Sequence, residues 1–184
     1  RAGATEFTGY AASEGEGQVV ALVKDGIEVQ SAAANDAVTV ITNQTPFYGE
    51  SGGQMGDAGV FLSANMRGDV TDTAKPLGRL HAHHVTIGTG EIKVGDFVTL
   101  KIDTTRRDSL RANHSATHLL HASLRERLGS HVTQKGSLVA PDRLRFDFSH
   151  NQAVTADEIA MIEADVNAQI RGNQAVTTRL MTPD

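Results

Sequence analysis

Two histidines stand four residues apart in the stretch N-H-S-A-T-H at residues 113–118. On an α-helix, side chains at this spacing lie on one face, so His114 and His118 can present two imidazoles to one zinc ion. The stretch lacks the glutamate of the H-E-x-x-H zinc proteases. A pair of polar surface or core histidines has the same spacing, and a zinc site needs at least a third protein ligand. His131, His150 or a residue beyond position 184 can fill that place.

A second group of residues that could bind a ligand or take part in catalysis is Q-T-P-F-Y-G-E-S-G-G-Q at residues 44–54. Gly52 and Gly53 allow backbone conformations and close approaches that other residues forbid. Gln54 offers both a hydrogen-bond donor and an acceptor. On its chemistry alone the stretch favours a tight turn between two strands, and the alternative is a loop that binds a ligand.

The third group is V-T-Q-K-G-S-L-V at residues 132–139, followed by R-F-D-F-S-H at 145–150. Gln134 and Lys135 are polar residues inside a stretch that otherwise resembles a β-hairpin. Polar groups on a strand that faces a cleft can recognise a substrate hydroxyl. The alternative is that they point to solvent, as every second residue of a surface strand does.

The elements that must position these groups change type near residue 103. Short runs rich in Val and Ile, separated by Gly and Asn, predict strands at residues 17–23, 26–31, 37–42 and 96–102. Their spacing predicts a small barrel or sandwich, and no helix of useful length is expected before residue 103.

Helical spacing of apolar residues then begins and predicts a helix from Thr104 to Leu128, which Gly129 ends. The runs 131–139 and 144–149 predict a hairpin. A capping box at residues 155–158 predicts a second helix from 156 to about 171.

A last strand is predicted at residues 174–181. The fold class expected is therefore α+β. It consists of a β-barrel domain at residues 1–105 and a second domain at residues 106–184, built from helix, hairpin, helix and strand.

Composition limits the chemistry that this chain can perform. Its 184 residues are 39% hydrophobic and include no cysteine, which excludes disulfides, a thiolate nucleophile and cysteine metal ligands within the chain. No apolar run approaches the ~20 residues that cross a bilayer, and the first ten residues lack the apolar core of a signal peptide. We therefore expect no membrane partner and a cytoplasmic location. The chain begins without Met, which suggests a piece of a longer protein.

The charge is unevenly distributed along the chain. The net charge of −5 argues against strong non-specific binding of nucleic acid, which needs clustered Lys and Arg. Residues 1–105 carry 7 basic and 13 acidic side chains, whereas residues 106–184 carry 10 basic and 9 acidic ones. A contact with a polyanion is therefore expected in the second part, although both parts also fit an ordinary solvated surface.

Taken together, the motifs resemble the editing region of bacterial alanyl-tRNA synthetases. The stretches T-P-F-Y-G-E-S-G-G-Q, R-A-N-H-S-A-T-H-L-L-H-A-S-L-R, H-V-T-Q-K-G-S-L-V and L-R-F-D-F-S-H-N occur in this order and spacing. The resemblance runs from F-T-G-Y at 7–10 to the end of the chain. It is closer than the resemblance to free-standing deacylases or to the threonyl enzyme.

The resemblance implies a small β-barrel followed by an editing domain of the type common to threonyl- and alanyl-tRNA synthetases. It implies a zinc ion bound by His114 and His118 together with a later C-x-x-x-H. That motif is absent here, so the zinc site is expected to be incomplete and its other ligands to lie beyond Asp184.

The resemblance also assigns roles to the other motif residues. Thr117 is implied to line the amino acid pocket and Gln134 to recognise the misattached residue, which makes both candidate catalytic residues. The candidate substrate-binding residues are Thr45, Gly52, Gly53 and Gln54, with the Gly-Gly-Gln loop closing over the pocket from the barrel. No general base is identified.

The implied partners are the acceptor end of tRNA(Ala), mischarged with serine or glycine, and the remaining domains of the parent synthetase. The parent enzyme would attach alanine to tRNA(Ala) with ATP and magnesium, whereas this region would hydrolyse the mischarged products. The alternative is a non-catalytic module that packs on the parent or holds the tRNA acceptor end.

Overall fold

Eleven short strands occupy the first 102 residues of the computed structural model, which describes residues 3–175. They are β1 (Glu6–Phe7), β2 (Glu14–Lys24), β3 (Ile27–Val29), β4 (Ser31–Ala33), β5 (Ala37–Thr42), β6 (Gln44–Thr45), β7 (Gly59–Ser63), β8 (Met66–Ala74), β9 (Ala82–Thr89), β10 (Glu91–Lys93) and β11 (Phe97–Ile102). No helix precedes residue 103 within the described part, as the sequence predicted.

Six of these strands close into an antiparallel barrel in the order β11-β7-β8-β9-β5-β2, because β2 also pairs with β11. Alternate side chains of the six strands point inward and form the core. Among those fully or nearly fully buried are Val19, Leu22, Val40, Phe61, Ile87 and Leu100. β3 extends the sheet beyond β2, while β4 with β10 and β1 with β6 form two small pairs outside the barrel.

The four strands predicted in this part are present, with some shifted ends. β5 has the predicted bounds, and the runs predicted at 17–23 and 96–102 correspond to β2 and β11. The run predicted at 26–31 is shorter and ends at Val29. β7, β8 and β9 were not predicted.

Two helices and a hairpin follow the barrel: α1 (Thr104–Leu128), β12 (Gln134–Val139), β13 (Leu144–Phe148) and α2 (Ala156–Gly172). α1 has the predicted bounds, and Asp103 caps it by accepting the backbone N–H of Arg106. The predicted capping box of α2 is present between Thr155 and Glu158.

The change from strand to helix falls at Asp103, close to the boundary predicted at 105, but the division into two domains stays a prediction. The strand predicted at 174–181 lies outside the described residues apart from its first two positions, which form no regular element. A small second core of Leu124, Val132 and Ile162 joins α1, the hairpin and α2. Within residues 3–175, no helix is both long and apolar enough to cross a membrane.

The barrel is fixed to α1 by a buried ion pair between Arg107 and Asp57. The Asp57 side chain is 2% exposed and that of Arg107 is 14% exposed. Nε of Arg107 lies 2.9 Å from both carboxylate oxygens. Its two terminal nitrogens also donate to the backbone carbonyls of Gly9 and Pro46, at 3.1 and 2.9 Å. One side chain of α1 therefore holds three separate segments of the barrel.

Removing one partner of this ion pair tests how strongly it fixes α1. Arg107→Met leaves the Asp57 carboxylate buried without a counter-charge, so we expect the free energy of unfolding to fall by about 3–5 kcal/mol. The matched control is Arg67→Met, since Arg67 pairs with Asp69 at an exposed site and should cost less than about 1 kcal/mol. Urea unfolding followed by circular dichroism measures both values, and equal losses would contradict a special role for Arg107.

Two buried histidines make the stability of the fold sensitive to acid. His83 lies on β9, and His81 lies just before that strand. Burial lowers the pKa of His81 and of His83 to about 4. In the unfolded chain both pKa values return to about 6.5. Between pH 6.5 and 4 the unfolded chain therefore binds protons that the folded chain does not, and the free energy of unfolding falls as pH falls through this window.

We expect His83→Asn to reduce this pH dependence, because the variant removes one of the two imidazoles that must stay neutral. The fall in unfolding free energy between pH 7 and pH 5, measured by urea titration, should be smaller than in the parent chain. His84→Asn is the control, since His84 is the exposed neighbour on the same strand. If the pH dependence of the unfolding free energy is unchanged in His83→Asn but altered in His84→Asn, His83 is not a source of the acid sensitivity.

Candidate functional site

A cavity of about 70 Å³ lies where the barrel loop, α1 and the hairpin meet. Its walls come from three elements far apart in sequence. The lining residues are Gly52, His114, Thr117, His118, His121, Gln134, Ser137, Val139 and Phe146. The three motif groups singled out in the sequence thus meet at one place.

The hairpin is held on α1 at both of its ends. Asn113 donates from its side-chain amide to the carbonyl of Ala140, at 2.8 Å, near the hairpin turn. Arg125 donates to the carbonyl of Val132, at 2.9 Å, where the hairpin begins. These bonds fix the distance between the histidine face of α1 and the polar residues of β12.

The loop before β7 packs against the hairpin through its backbone. The N–H of Val139 donates to the carbonyl of Gly53 at 2.8 Å, and the N–H of Met55 donates to the carbonyl of Val139 at 3.0 Å. Gly53 has φ +86°, and a Cβ there would lie 2.4 Å from the carbonyl oxygen of Ser137. Only glycine fits this position, which explains the second glycine of the motif.

The two histidines of the motif lie one above the other on α1. Their ring centroids are 5.0 Å apart and the rings are nearly parallel, with an interplanar angle of 18°. Gln54 reaches His114 from the barrel loop, with its Oε1 2.6 Å from Nδ1 of the imidazole. An amide oxygen only accepts hydrogen bonds, so Nδ1 of His114 carries the proton and Nε2 keeps a free lone pair.

The surroundings of this imidazole favour its neutral form. Burial, and in second place the neighbouring His118, lower the pKa of His114. A neutral imidazole whose second nitrogen is held by an amide is the form that binds a metal ion. The Nε2 lone pair of His114 therefore remains available to a group that enters the cavity.

The two candidate catalytic residues both line the cavity. Thr117 is 6% exposed and its hydroxyl donates to the carbonyl of Asn113 at 2.8 Å. The oxygen of that hydroxyl can still accept a hydrogen bond from a guest in the cavity. Gln134 begins β12, and a register shift between Gln134 and Gly136 interrupts the hairpin pairing beside it.

Gly52 lines the cavity as expected, but Thr45 does not. Thr45 is fully buried in the barrel, where its hydroxyl lies 2.8 Å from Nε2 of His83 and accepts the N–H of Phe47 at 3.1 Å. The structure therefore separates Thr45 from the cavity, because both hydrogen-bonding capacities of its side chain are used inside the barrel.

His131 and His150 contact each other instead of the cavity. Nε2 of His131 lies 2.9 Å from Nδ1 of His150, and the rings stack 5.1 Å apart. Residues 3–175 contain no group of three or more His, Asp or Glu residues that could hold a metal ion. Neither histidine lines the cavity, so the alternative in which one of them supplies the third ligand has no support in the geometry of this range.

Some cavity residues were not predicted to belong to the site. His121 is one turn further along α1, where its ring lies against Phe146 at 5.0 Å and its Nε2 is buried with no partner among the described residues. A signal for it exists in the sequence. Polar residues recur at 107, 111, 114, 118 and 121, which is one continuous helix face.

A comparison with known protein families identifies the class of protein. The family model described as tRNA synthetases class II (A) matches residues 1–106, which is more than half of the chain. The chain therefore belongs to the class II (A) tRNA synthetases. The match ends in the first turn of α1 and does not reach the histidine pair.

Nearly the whole chain is similar to alanine–tRNA ligases. It is 67% identical over 183 residues to that of Sphingopyxis alaskensis, 63% over 183 residues to that of Rhizorhabdus wittichii and 57% over 182 residues to that of a Ruegeria species. Each alignment covers 99% of this chain and 20–21% of the relative. The chain thus spans about a fifth of the length of the curated relatives it matches. The predicted resemblance to alanyl-tRNA synthetases is confirmed.

The contact between Gln54 and His114 makes a prediction about the imidazole tautomer. In the parent chain, ¹⁵N NMR of the histidine side chains at pH 8 should show a proton on Nδ1 of His114. Gln54→Ala removes the acceptor, so the proton should move largely to Nε2. Gln134→Ala, which changes another glutamine of the site without touching His114, should leave the tautomer as it is. A spectrum of Gln54→Ala identical to that of the parent would contradict the contact.

Proposed function

We propose that this chain is the part of an alanine–tRNA ligase that hydrolyses tRNA(Ala) mischarged with serine or glycine. The observation that carries the proposal is the small cavity that joins Thr117, Gln134 and the histidine pair. Its volume of about 70 Å³ is several times the roughly 10–15 Å³ that one water requires. A cavity of that size suits the side chain of a small amino acid.

A ligase for alanine needs such a second site for physical reasons. A pocket that holds alanine cannot exclude glycine by size. It also rejects serine poorly, since an added hydroxyl is discriminated only about 10²-fold in a comparable pocket. A second site that hydrolyses the ester of both mischarged products would correct both errors, and a hydrogen bond to the hydroxyl would make that site favour serine.

The residues that line the cavity can form hydrogen bonds with the hydroxyl of a serine side chain. The oxygen of Thr117 can accept a hydrogen bond from the serine hydroxyl. The amide of Gln134 can both donate and accept. Val139 and Phe146 form the apolar side and limit the volume. Glycine, which has no side chain, would enter without using these polar groups.

The histidine pair fits half of a zinc site. His114 and His118 offer two imidazoles from successive turns, and Gln54 orients the first of them. The other two ligands would come from outside residues 3–175. Zinc, when bound, would polarise the ester carbonyl or lower the pKa of a water molecule. No carboxylate lines the described cavity, so no side chain of these residues is assigned as general base.

In this proposal the ligation reaction is carried out by the other parts of the whole ligase. Ligation of alanine to tRNA(Ala) with ATP and magnesium would take place outside the described residues, in the cytoplasm. The partners of this chain would be the acceptor end of the mischarged tRNA and the other domains of the ligase.

A chimera tests the proposal. This chain replaces the corresponding segment of the Sphingopyxis alaskensis ligase, to which it is 67% identical, and release of serine from Ser-tRNA(Ala) is measured. We expect release well above the rate in buffer. We also expect its loss in the variant His118→Ala, with alanine attachment retained. Serine release at the buffer rate from a chimera that still attaches alanine would overturn the hydrolytic function and leave a non-catalytic module.

In the same chimera, Thr117→Val should separate serine from glycine. The variant keeps the shape of the side chain and removes the oxygen that accepts the serine hydroxyl. Loss of one such hydrogen bond costs about 0.5–1.5 kcal/mol, which corresponds to about 2- to 13-fold slower hydrolysis of Ser-tRNA(Ala). Hydrolysis of Gly-tRNA(Ala) should change little. An equal decrease for both substrates would indicate a packing defect and would remove Thr117 from the recognition of serine.

A further inference from the structure

A second and larger cavity, of about 390 Å³, shares the His114 wall with the small one. Its size falls in the usual range for pockets that bind organic ligands, about 300–1,000 Å³. The lining residues are Phe7, Gly9, Tyr10, Tyr48, Gln54, Arg107, Arg111 and His114. The recognition of serine proposed above uses none of the aromatic or arginine side chains of this cavity.

The rim of this cavity carries an aromatic side chain that is almost fully exposed. Tyr10 is 92% exposed, and its ring meets the ring of Phe7 in an edge-to-face arrangement, at a centroid distance of 5.0 Å. Phe7 in turn contacts Tyr48 and stacks on His81. A tyrosine in this setting is supported from behind and leaves a ring face open to a planar ligand.

The turn that presents Tyr10 is held rigidly. The carbonyl of Gly9 accepts a hydrogen bond from Arg107, and the N–H of Ala11 donates to the carbonyl of Thr8 at 3.1 Å. A Cβ on Gly9 would lie 2.2 Å from the carbonyl oxygen of Pro46, so the turn packs directly on the barrel loop. The backbone that carries Tyr10 is therefore positioned before any ligand arrives, which lowers the entropy cost of binding.

The cavity also offers one available positive charge. Arg111 has a side chain that is 74% exposed, and its ion pair with Asp108 is long, at 3.5 Å. Arg107, in contrast, is already neutralised by Asp57. An exposed arginine beside an exposed aromatic ring is the combination that binds a nucleotide, because the ring stacks on the base and the guanidinium pairs with the phosphate.

We propose that the larger cavity binds the 3′-terminal nucleoside of an RNA, with its base stacked on Tyr10 and the preceding phosphate paired with Arg111. The inference rests on the proposed function, because His114 borders both cavities and the ester that joins the terminal ribose to the amino acid would then pass beside it. The terminal nucleoside of tRNA is adenosine, whose purine ring provides a large stacking face.

The test measures binding to this chain alone, without any hydrolysis. Two fluorescent RNA hairpins of identical stem are compared by anisotropy at low salt, one ending in C-C-A and the other in C-C. Removal of the final A should weaken binding about 5- to 150-fold, as expected for one stacked base. Tyr10→Ala should abolish the difference between the two RNAs, whereas Tyr10→Phe should retain it.

Arg111→Gln should weaken binding of both RNAs and lower the slope of log affinity against log salt by about 0.7, the value for one phosphate of a single strand. Phe97→Ala is the control for Tyr10, because Phe97 is an exposed aromatic residue in β11. Arg143→Gln is the control for Arg111, because Arg143 is an ion-paired arginine of similar exposure in the hairpin turn. Both controls should bind like the parent chain, and circular dichroism verifies that every variant is folded.

The outcomes separate this inference from the proposed function. Binding that depends on the final A and on Tyr10 supports the nucleoside site even where the chimera releases no serine. If Tyr10→Ala binds both RNAs as the unmodified chain does, the aromatic face is a packing surface for another protein segment and the inference is overturned. Failure of the parent chain to distinguish the two RNAs also overturns it, whatever the rate of serine release.

Discussion

The buried contact between Arg107 and Asp57 determines how the barrel loop meets α1 at the candidate site. Asp57 accepts from the backbone N–H of Tyr48 at 2.7 Å, so the carboxylate closes the loop of residues 48–57 on itself. Arg107 then attaches that closed loop to the first turn of α1. Since Gln54 is in the loop and His114 is two turns further along the helix, their contact depends on this attachment. The same guanidinium holds the turn of Tyr10, so both cavities share one support.

A buried ion pair is a costly way to join two elements, because both charges lose their hydration. Here the remaining donors of the guanidinium are satisfied by the carbonyls of Gly9 and Pro46, which offsets part of that cost. The arrangement fixes orientation as well as distance, since the planar guanidinium meets the carboxylate at two oxygens. An apolar contact of similar area would leave the loop free to slide along the helix.

The sequence predicted the strongly periodic elements and missed the weak ones for a physical reason. α1, the hairpin and α2 were predicted because their spacing, stop and capping signals are local. β8 and β9 were not, because their inward positions include small or polar residues such as Gly68 and His83, whose burial depends on neighbouring strands. Motif residues predicted the small cavity, but no local signal could show that Gln54 contacts His114 or that Thr45 turns into the barrel. Those outcomes depend on pairings between segments 38–60 residues apart.

The hydrogen bonds between Gly53, Met55 and Val139 have a consequence for the behaviour of the chain in solution. A two-stranded hairpin normally offers a free edge on each side, and such an edge can recruit a strand from another molecule. Here the barrel loop occupies the edge of β12 at Val139 with main-chain bonds, so that part of the edge is closed from within the same chain. Because these bonds join backbone atoms, most side chains of the loop can change without opening the edge. A change at Gly53 would expose it and would favour aggregation as well as loss of the site.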